Sequence, residues 1–485
     1  MLPEPVEDEQ VLIPESTTTD QKSALKINPV SQKITGSFWK DTGNILYDVF
    51  PNFIYALGFY LYSTIGLVLL SRSASTIVID GYGIGCTWYT IVCTAVISSL
   101  CQGTITLCSQ AFGAGNFTTL GLCLHRGFFL RLIFLIIEIP LLAFSYYIFK
   151  AFQVDEDIAV QASLYCKYAV ITLIPLILVE VIRTYYVSTH NYIPLMFFQF
   201  LCVPLNYILC RYFVIDLGLE IGGVVLAYSI TLVALVTMMV LHLWIWHSKS
   251  DGLFYPKKES CQKLFPQLKI EIIIATFFYL EQIAWQILTL LGANYSATQV
   301  NVQVVISNIV SIVMMPMFGL NIVATTYAGA YIGQKNIPAI KRCVVYSAMI
   351  AFIYALFIDA CILIWRKEIL RIYSTDDAII SAGLELVKVV VFILPMDFVR
   401  STVVSSLKSI GREKIGSLAF IFSYYVVGLI FEFTLGTVAG WYDLGLWIGV
   451  GIGIGTMLAL VTVLMVRTDY AKAVEMIQQR IIKLD

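Results

Sequence analysis

Twelve apolar stretches, each long enough to cross a bilayer as a helix, constrain the fold of this chain more than any other feature. A spanning helix needs about 20 apolar residues, and only helices and closed barrels satisfy all their backbone polar groups in hydrocarbon. With 59% hydrophobic and 13% charged residues, the chain is too apolar for a soluble protein of 485 residues. We therefore predict an all-α, multi-pass membrane protein. The approximate spans are 45–70, 84–107, 127–149, 168–188, 195–214, 222–246, 272–292, 301–327, 346–365, 381–403, 415–436 and 445–466.

The polar segment 247–271 divides these spans six and six. We predict the following regions: a disordered tail over 1–44, six-helix lobes over 45–246 and 272–466, an inter-lobe loop over 247–271 and a C-terminal tail over 467–485. Lys and Arg concentrate in the segments on the same side as both termini and the inter-lobe loop. The positive-inside rule places that side in the cytoplasm, which puts the glycosylation sequon at Asn294 on the other side.

Short matching segments recur in the two halves, in the same order and at a nearly constant offset. QAFGAGN at 110–116 resembles AYIGQKN at 330–336, and HNYIP at 190–194 resembles REKIG at 412–416. Because six spans return the chain to the side from which it entered, the halves form a parallel repeat about a pseudo-two-fold axis along the membrane normal. Such a repeat suits alternating access, in which the two lobes rock around a site.

Glu281 lies near the middle of the seventh span. A charge at the bilayer centre costs at least about 2.5–3.5 kcal/mol on insertion scales, so this carboxyl must face the protein, be neutral or have a partner. No basic residue lies within one helical turn of it along the span. Desolvation then favours the protonated form until a ligand cation arrives, which is the behaviour of a proton switch. The plainer interpretation is a hydrogen-bonded acid that only packs helices.

Two further acids stand three residues before an arginine, Glu180 before Arg183 and Asp397 before Arg400. Residues three apart share a helix face, so an internal ion pair is the simplest interpretation of each. Asp397 also follows Pro395, whose missing N–H leaves a backbone carbonyl free within the span. We therefore predict that Pro395 is a hinge that re-aims Asp397 between states.

Other classes of function lack their signals. No Walker A sequence is present, and the eleven cysteines show no pair at metal-ligand spacing. A net charge of −1 argues against a nucleic-acid partner. We expect a non-enzymatic protein without metal or organic cofactor.

Several segments together resemble the multidrug and toxic compound extrusion (MATE) family, with the eukaryotic branch the closer match. TLCSQAFGAGN at 106–116 is similar to the signature that closes the second helix of that family, and VPLNYIL at 203–209 is similar to its fifth. LEQIAWQ at 280–286 and LKSIGREKIGS at 407–417 match the seventh helix and the loop after the tenth. The resemblance covers about 45–466.

The resemblance implies two six-helix lobes and secondary antiport, in which organic cations or other amphipathic compounds leave in exchange for protons or sodium. Glu281 and Asp397 fall on the seventh- and tenth-helix acids of the proton-coupled eukaryotic members, with Arg400 as a supporting residue. Gln286 and Asn308 stand where some members carry further acids. The first span lacks, after Pro51, the aspartate that many bacterial members use for coupling.

We therefore expect a monomeric proton-coupled antiporter in the plasma membrane or in a vacuolar or other organellar membrane, driven by a proton gradient, with sodium as the other candidate ion. Its partners would be the lipid bilayer and a small-molecule substrate. A lipid-linked oligosaccharide flippase and, from a different class, a membrane channel or receptor are the alternatives.

Overall fold

The computed structural model describes residues 34–246, 252–292, 295–374 and 376–485. Within them, twelve helices are long and apolar enough to cross a membrane, and none of the described residues forms a strand. We number these helices α1–α12 and the C-terminal helix α13. Their bounds are α1 Phe38–Leu70, α2 Thr76–Gly113, α3 Phe117–Ala143, α4 Glu156–Ser188, α5 Ile193–Asp216, α6 Glu220–Trp246, α7 Leu264–Gly292, α8 Ala297–Gly333, α9 Ile337–Tyr373, α10 Asp377–Ser409, α11 Glu413–Val438, α12 Tyr442–Arg467 and α13 Tyr470–Leu484.

Helices extend into three segments that the sequence predicts as tails or loop. α1 begins inside the tail predicted over 1–44 because the buried carboxylate of Asp41 accepts hydrogen bonds from the backbone of Thr35 and Gly36 at 2.8 and 2.9 Å. α7 begins at Leu264, within the loop predicted over 247–271. The following predicted parts lie outside the described residues: 1–33 of the N-terminal tail, 247–251 of the loop, and the sequon residue Asn294.

The predicted C-terminal tail, 467–485, contains the amphipathic helix α13. Asp469 caps it by accepting hydrogen bonds from the backbone of Ala471 and Lys472 at 3.1 and 3.2 Å. Apolar side chains recur at helical spacing and are buried against the bundle, namely Ala473, Ile477, Ile481 and Leu484. Burial of this one apolar face explains why the segment docks as a helix.

The two lobes, α1–α6 and α7–α12, meet through equivalent helices of the repeat. α1 packs on α8, α7 packs in the same way on α2, and α2 packs on α8 between them. The repeated segments 110–116 and 330–336 end α2 and α8 and face each other there. A Cβ atom on Gly113 would lie 2.0 Å from the carbonyl oxygen of Ala330, so only glycine permits this approach. The predicted two-lobe architecture is confirmed.

We call the face of the bundle where α1 begins and α13 lies the terminal face. Hydrogen bonds join the two lobes at this face. Gln110 donates to the carbonyl oxygen of Ser409 at 2.7 Å. Thr104 of α2 donates to Glu271 of α7 at 2.6 Å. The hydroxyl groups of Tyr192 and Thr326 lie 2.7 Å apart. Burial raises the pKa of Tyr192, in the connection between α4 and α5, so its hydroxyl stays protonated.

α13 reinforces this closure because it contacts both lobes. Arg480 forms an ion pair with Glu413 of the second lobe at 2.6 Å. Arg126 of the first lobe donates to the carbonyl oxygen of Leu484 at 2.6 Å. The helix therefore bridges the lobes at the terminal face.

Candidate functional site

A cavity of about 730 Å³ lies between the lobes. Its wall comes from α1, α2, α4 and α6 of the first lobe and from α7, α8 and α10 of the second. In α1 the wall residues 55–63 follow the lobe contact at Asp48, which accepts a hydrogen bond from Tyr327. In α8, which starts at the other face, the wall residues 307–325 precede the contact at Thr326. The cavity thus lies beyond the closed terminal face, toward the opposite face.

Three charged side chains from two helices meet at the second-lobe side of the cavity, and we call them the Arg400 cluster. Arg400 donates to Asp397 at 2.8 Å and to Glu281 at 2.6 Å. The side chains of Arg400 and Asp397 are only 1% and 2% exposed, whereas that of Glu281 is 18% exposed. Glu281 and Arg400 line the cavity, and Asp397 lies behind them. The cluster carries one net negative charge when both acids are ionised.

The surroundings of Glu281 differ from those that the sequence predicts. Along its own span, no basic residue lies within a helical turn of Glu281. In the structure, Arg400 on α10 contacts both acids, although it is 119 residues away from Glu281 in the chain. The ion pair predicted between Asp397 and Arg400 is present, with a shortest distance of 2.7 Å. Glu281 and Asp397 therefore share the guanidinium of Arg400 and are not independent of each other.

The cluster also leaves polar atoms without partners. Among the described residues, Oδ2 of Asp397 and one terminal nitrogen of Arg400, Nη1, are buried and form no hydrogen bond. Such atoms carry a desolvation cost of about 1–3 kcal/mol, or more for charged groups. Binding of a proton or a ligand could supply the missing partners of these atoms, so the cluster is suited to exchange one partner for another.

Lys408 is a basic residue near the site that the sequence reasoning missed. Its Nζ atom lies 3.4 Å from the centre of the Phe278 ring and 4.5 Å from that of Phe277. The sequence placed it past the end of the tenth span, but α10 continues to Ser409 and buries it. The signal available in the sequence was the helical register, which places Lys408 on nearly the same face as Asp397, eleven residues earlier.

The first-lobe side of the cavity carries the other predicted ion pair. Arg183 donates to Oε2 of Glu180 at 3.1 Å, and both residues line the cavity. The sequence predicted this pair as an internal link on one helix and did not place it at a site. The guanidinium of Arg183 also lies over the ring of Tyr55, with its central carbon 5.0 Å from the ring centre.

The remaining predicted site residues are distributed differently. Gln286 is exposed on the cavity wall. Asn308 is not a wall residue, and its side-chain amide donates to the carbonyl oxygen of Val304 in its own helix at 2.9 Å. Pro395 lies inside α10, which runs without interruption from Asp377 to Ser409. The bend at Pro395 stays a prediction.

Two helical lobes that enclose a charged cavity within the membrane define a transporter architecture. The MatE family model matches residues 51–211 and 273–434, one segment in each lobe. The chain belongs to the MatE family, as the sequence resemblance predicted.

Relatives and solved structures agree with this assignment. Protein DETOXIFICATION 17 of Arabidopsis thaliana is 24% identical over 382 residues, which cover 78% of this chain and 79% of that protein. Multidrug and toxin extrusion protein 1 of Xenopus tropicalis is 22% identical over 469 residues, covering 96% and 80%. The crystal structure of the eukaryotic MATE transporter AtDTX14 superposes with a TM-score of 0.86 at 17% identity, covering 92% of this chain and 99% of that one.

Proposed function

We propose that this protein is a proton-coupled antiporter that exports organic cations or other amphipathic compounds by alternating access. The observation that carries the proposal is the position of Glu281, which stands on the cavity wall and shares Arg400 with Asp397. A carboxylate in that position has two competing partners, a proton and a cation. The names of the relatives, which refer to detoxification and multidrug extrusion, support this substrate class.

The geometry suggests how the exchange works. Oε1 of Glu281 accepts from Arg400, while Oε2 has no protein partner among the described residues and is left for a substrate cation. A proton that enters from the open side neutralises Glu281, weakens its hold on the cation and releases the substrate. Arg400 then remains paired with Asp397 alone.

The same protonation connects the chemistry to movement. Glu281 belongs to α7, whereas Asp397 and Arg400 belong to α10, so the link between Glu281 and Arg400 ties two helices together. Neutralising Glu281 weakens that link, and the lobes then move so that the cavity opens at the terminal face. The proton leaves there, and substrate binding restores the first state. Both termini are cytoplasmic in this scheme, and a single chain contains a complete cavity, so the monomer is the working unit.

The test uses purified protein in proteoliposomes with a labelled organic cation and an imposed pH gradient. Glu281→Gln keeps the shape and hydrogen bonding of the side chain, but an amide does not take up and release a proton as a carboxyl group does. We expect it to abolish pH-driven transport, whereas Asp397→Asn weakens transport and shifts the preference among substrates. Glu385→Gln is the matched control, since Glu385 is exposed and pairs with Lys388 three residues along the same helix as Asp397.

Two results would contradict the proposal. Normal, pH-dependent transport by Glu281→Gln would require another proton carrier, with Asp397 the next residue to substitute. Transport that follows an imposed sodium gradient at equal pH on both sides would replace the proton by sodium as the coupling ion.

The alternatives make different predictions. A channel or receptor shows no acceleration of uptake by substrate on the opposite side, whereas an exchanger does. A lipid-linked oligosaccharide flippase has to accommodate diphosphate, which favours a basic cavity. Here the arginines of the wall, Arg183 and Arg400, are each paired with an acid.

A further inference from the structure

The cavity has a second carboxylate, on the side opposite the Arg400 cluster. Oε2 of Glu180 accepts from Arg183, but Oε1 has no protein partner among the described residues and is not one of the buried atoms. Because Glu180 lines the cavity, this oxygen is accessible from the cavity. Nε of Arg183 is buried, and no described residue forms a hydrogen bond with it. The pair is therefore incompletely satisfied and faces the space where a ligand binds.

Tyrosines line the first-lobe side of the cavity, where this carboxylate lies. The wall residues of the second lobe include no tyrosine. Those of the first lobe include seven, namely Tyr55, Tyr60, Tyr62, Tyr82, Tyr89, Tyr165 and Tyr228. The rings of Tyr62 and Tyr228 lie 5.9 Å apart, and those of Tyr82 and Tyr165 lie 5.4 Å apart. The hydroxyl groups of Tyr55 and Tyr62 are buried and have no hydrogen-bond partner within the described part of the chain. We call these tyrosines together with Glu180 the aromatic end of the cavity.

Aromatic faces beside a carboxylate form the kind of site that binds quaternary and other organic ammonium groups. The protein already places one cation there, since the guanidinium of Arg183 lies over the Tyr55 ring. A ligand ammonium group would find further ring faces and the free oxygen of Glu180. The Arg400 cluster offers the free oxygen of Glu281 at the other side of the same cavity.

From these features we propose that the cavity has two cation subsites and selects elongated dications, with one positive group at the aromatic end and the other at Glu281. The inference rests on the proposed function in one respect, namely that the cavity takes organic cations. An apolar spacer between the two positive groups suits the apolar side chains that also line the cavity, which include Met314 and Met317. A monocation occupies mainly the Glu281 subsite, because two carboxylates share one guanidinium there, whereas Glu180 is matched by Arg183.

The experiment measures equilibrium binding by calorimetry to purified full-length protein in detergent, without a pH gradient. The probes are polymethylene bis(trimethylammonium) ions of increasing spacer length and alkyltrimethylammonium ions of matched chain length. We expect one range of spacer lengths to bind at least about tenfold more tightly than the matched monocation. Glu180→Gln should remove most of that advantage, so the ratio of the two affinities falls. Glu281→Gln should weaken both probes.

Controls separate recognition from folding. Glu385→Gln removes an exposed acid that pairs with a basic residue three positions later, as Glu180 does, and it should leave both affinities unchanged. Because removing one partner of a buried pair is often destabilising, Glu180→Gln/Arg183→Gln neutralises both partners and should likewise lose the dication advantage. Tyr228→Leu removes a ring without changing charge and should lower dication affinity more than monocation affinity.

The inference is overturned if affinity is independent of spacer length, if dications bind no better than monocations, or if Glu180→Gln and the double variant lower both affinities equally. These outcomes leave the proposed function intact, because proton-driven export of monocations is measured separately. Conversely, sodium coupling would revise the proposed function without changing the expected binding pattern.

Discussion

Replacing Arg400 with methionine removes the cation that touches both Glu281 and Asp397 while keeping much of the side-chain volume. The substitution leaves two acids close together, one of them buried, with no counter-charge in contact. Removing one partner of a buried ion pair typically costs about 3–5 kcal/mol of stability. We expect Arg400→Met to lower the free energy of unfolding by that order.

The contacts support this magnitude. Arg400 donates to Asp397 at 2.8 Å and to Glu281 at 2.6 Å, and each hydrogen bond to a charged group contributes about 1.5–3 kcal/mol. The bond to Glu281 should lie at the lower end, since that side chain is 18% exposed and solvent screens it. The bond to the buried Asp397 should lie higher.

The assay is unfolding by sodium dodecyl sulfate in mixed micelles, followed by tryptophan fluorescence, for Arg400→Met, Asp397→Asn and the double variant. The double variant removes both partners of the more buried pair, so it should be more stable than Arg400→Met alone, with a coupling of about 1–3 kcal/mol. Lys388→Met is the control, because the Lys388–Glu385 pair on the same helix is exposed and should contribute less than about 1 kcal/mol.

Two outcomes would refute this reasoning. The first is a loss on Arg400→Met no larger than the loss on Lys388→Met, which would mean that the cluster is solvated. The second is simple additivity of Arg400→Met and Asp397→Asn, which would mean that the two side chains do not interact in the folded protein.

Two further predictions concern movement and orientation. Pro395→Ala restores a donor to α10 and stiffens it, so folding should be retained while turnover slows, as measured by counterflow rates in proteoliposomes; an unchanged rate would remove the hinge from the mechanism. The 247–271 segment should be protected from protease added outside sealed right-side-out vesicles and cut after permeabilisation, and cleavage before permeabilisation would reverse the topology.

The sequence by itself determined the features that depend on local spacing. Spans follow from the length of apolar stretches, and the six-plus-six division follows from the parity of crossings and the repeated segments. The pairs Glu180–Arg183 and Asp397–Arg400 were predictable because residues three apart share a helix face, and the structure shows both at 3.1 and 2.7 Å. Glu281 stood out because an acid in mid-span needs a reason to be there.

Tertiary structure alone decided which helices face one another. Nothing in the spacing of Glu281 and Arg400 brings them together, because their contact depends on how α7 packs beside α10. In the same way, no spacing in the sequence shows that Glu180 and tyrosines from four different helices share one wall. Periodicity shows which face of a helix is apolar or charged, but the partner of that face is set by the packing of the whole bundle.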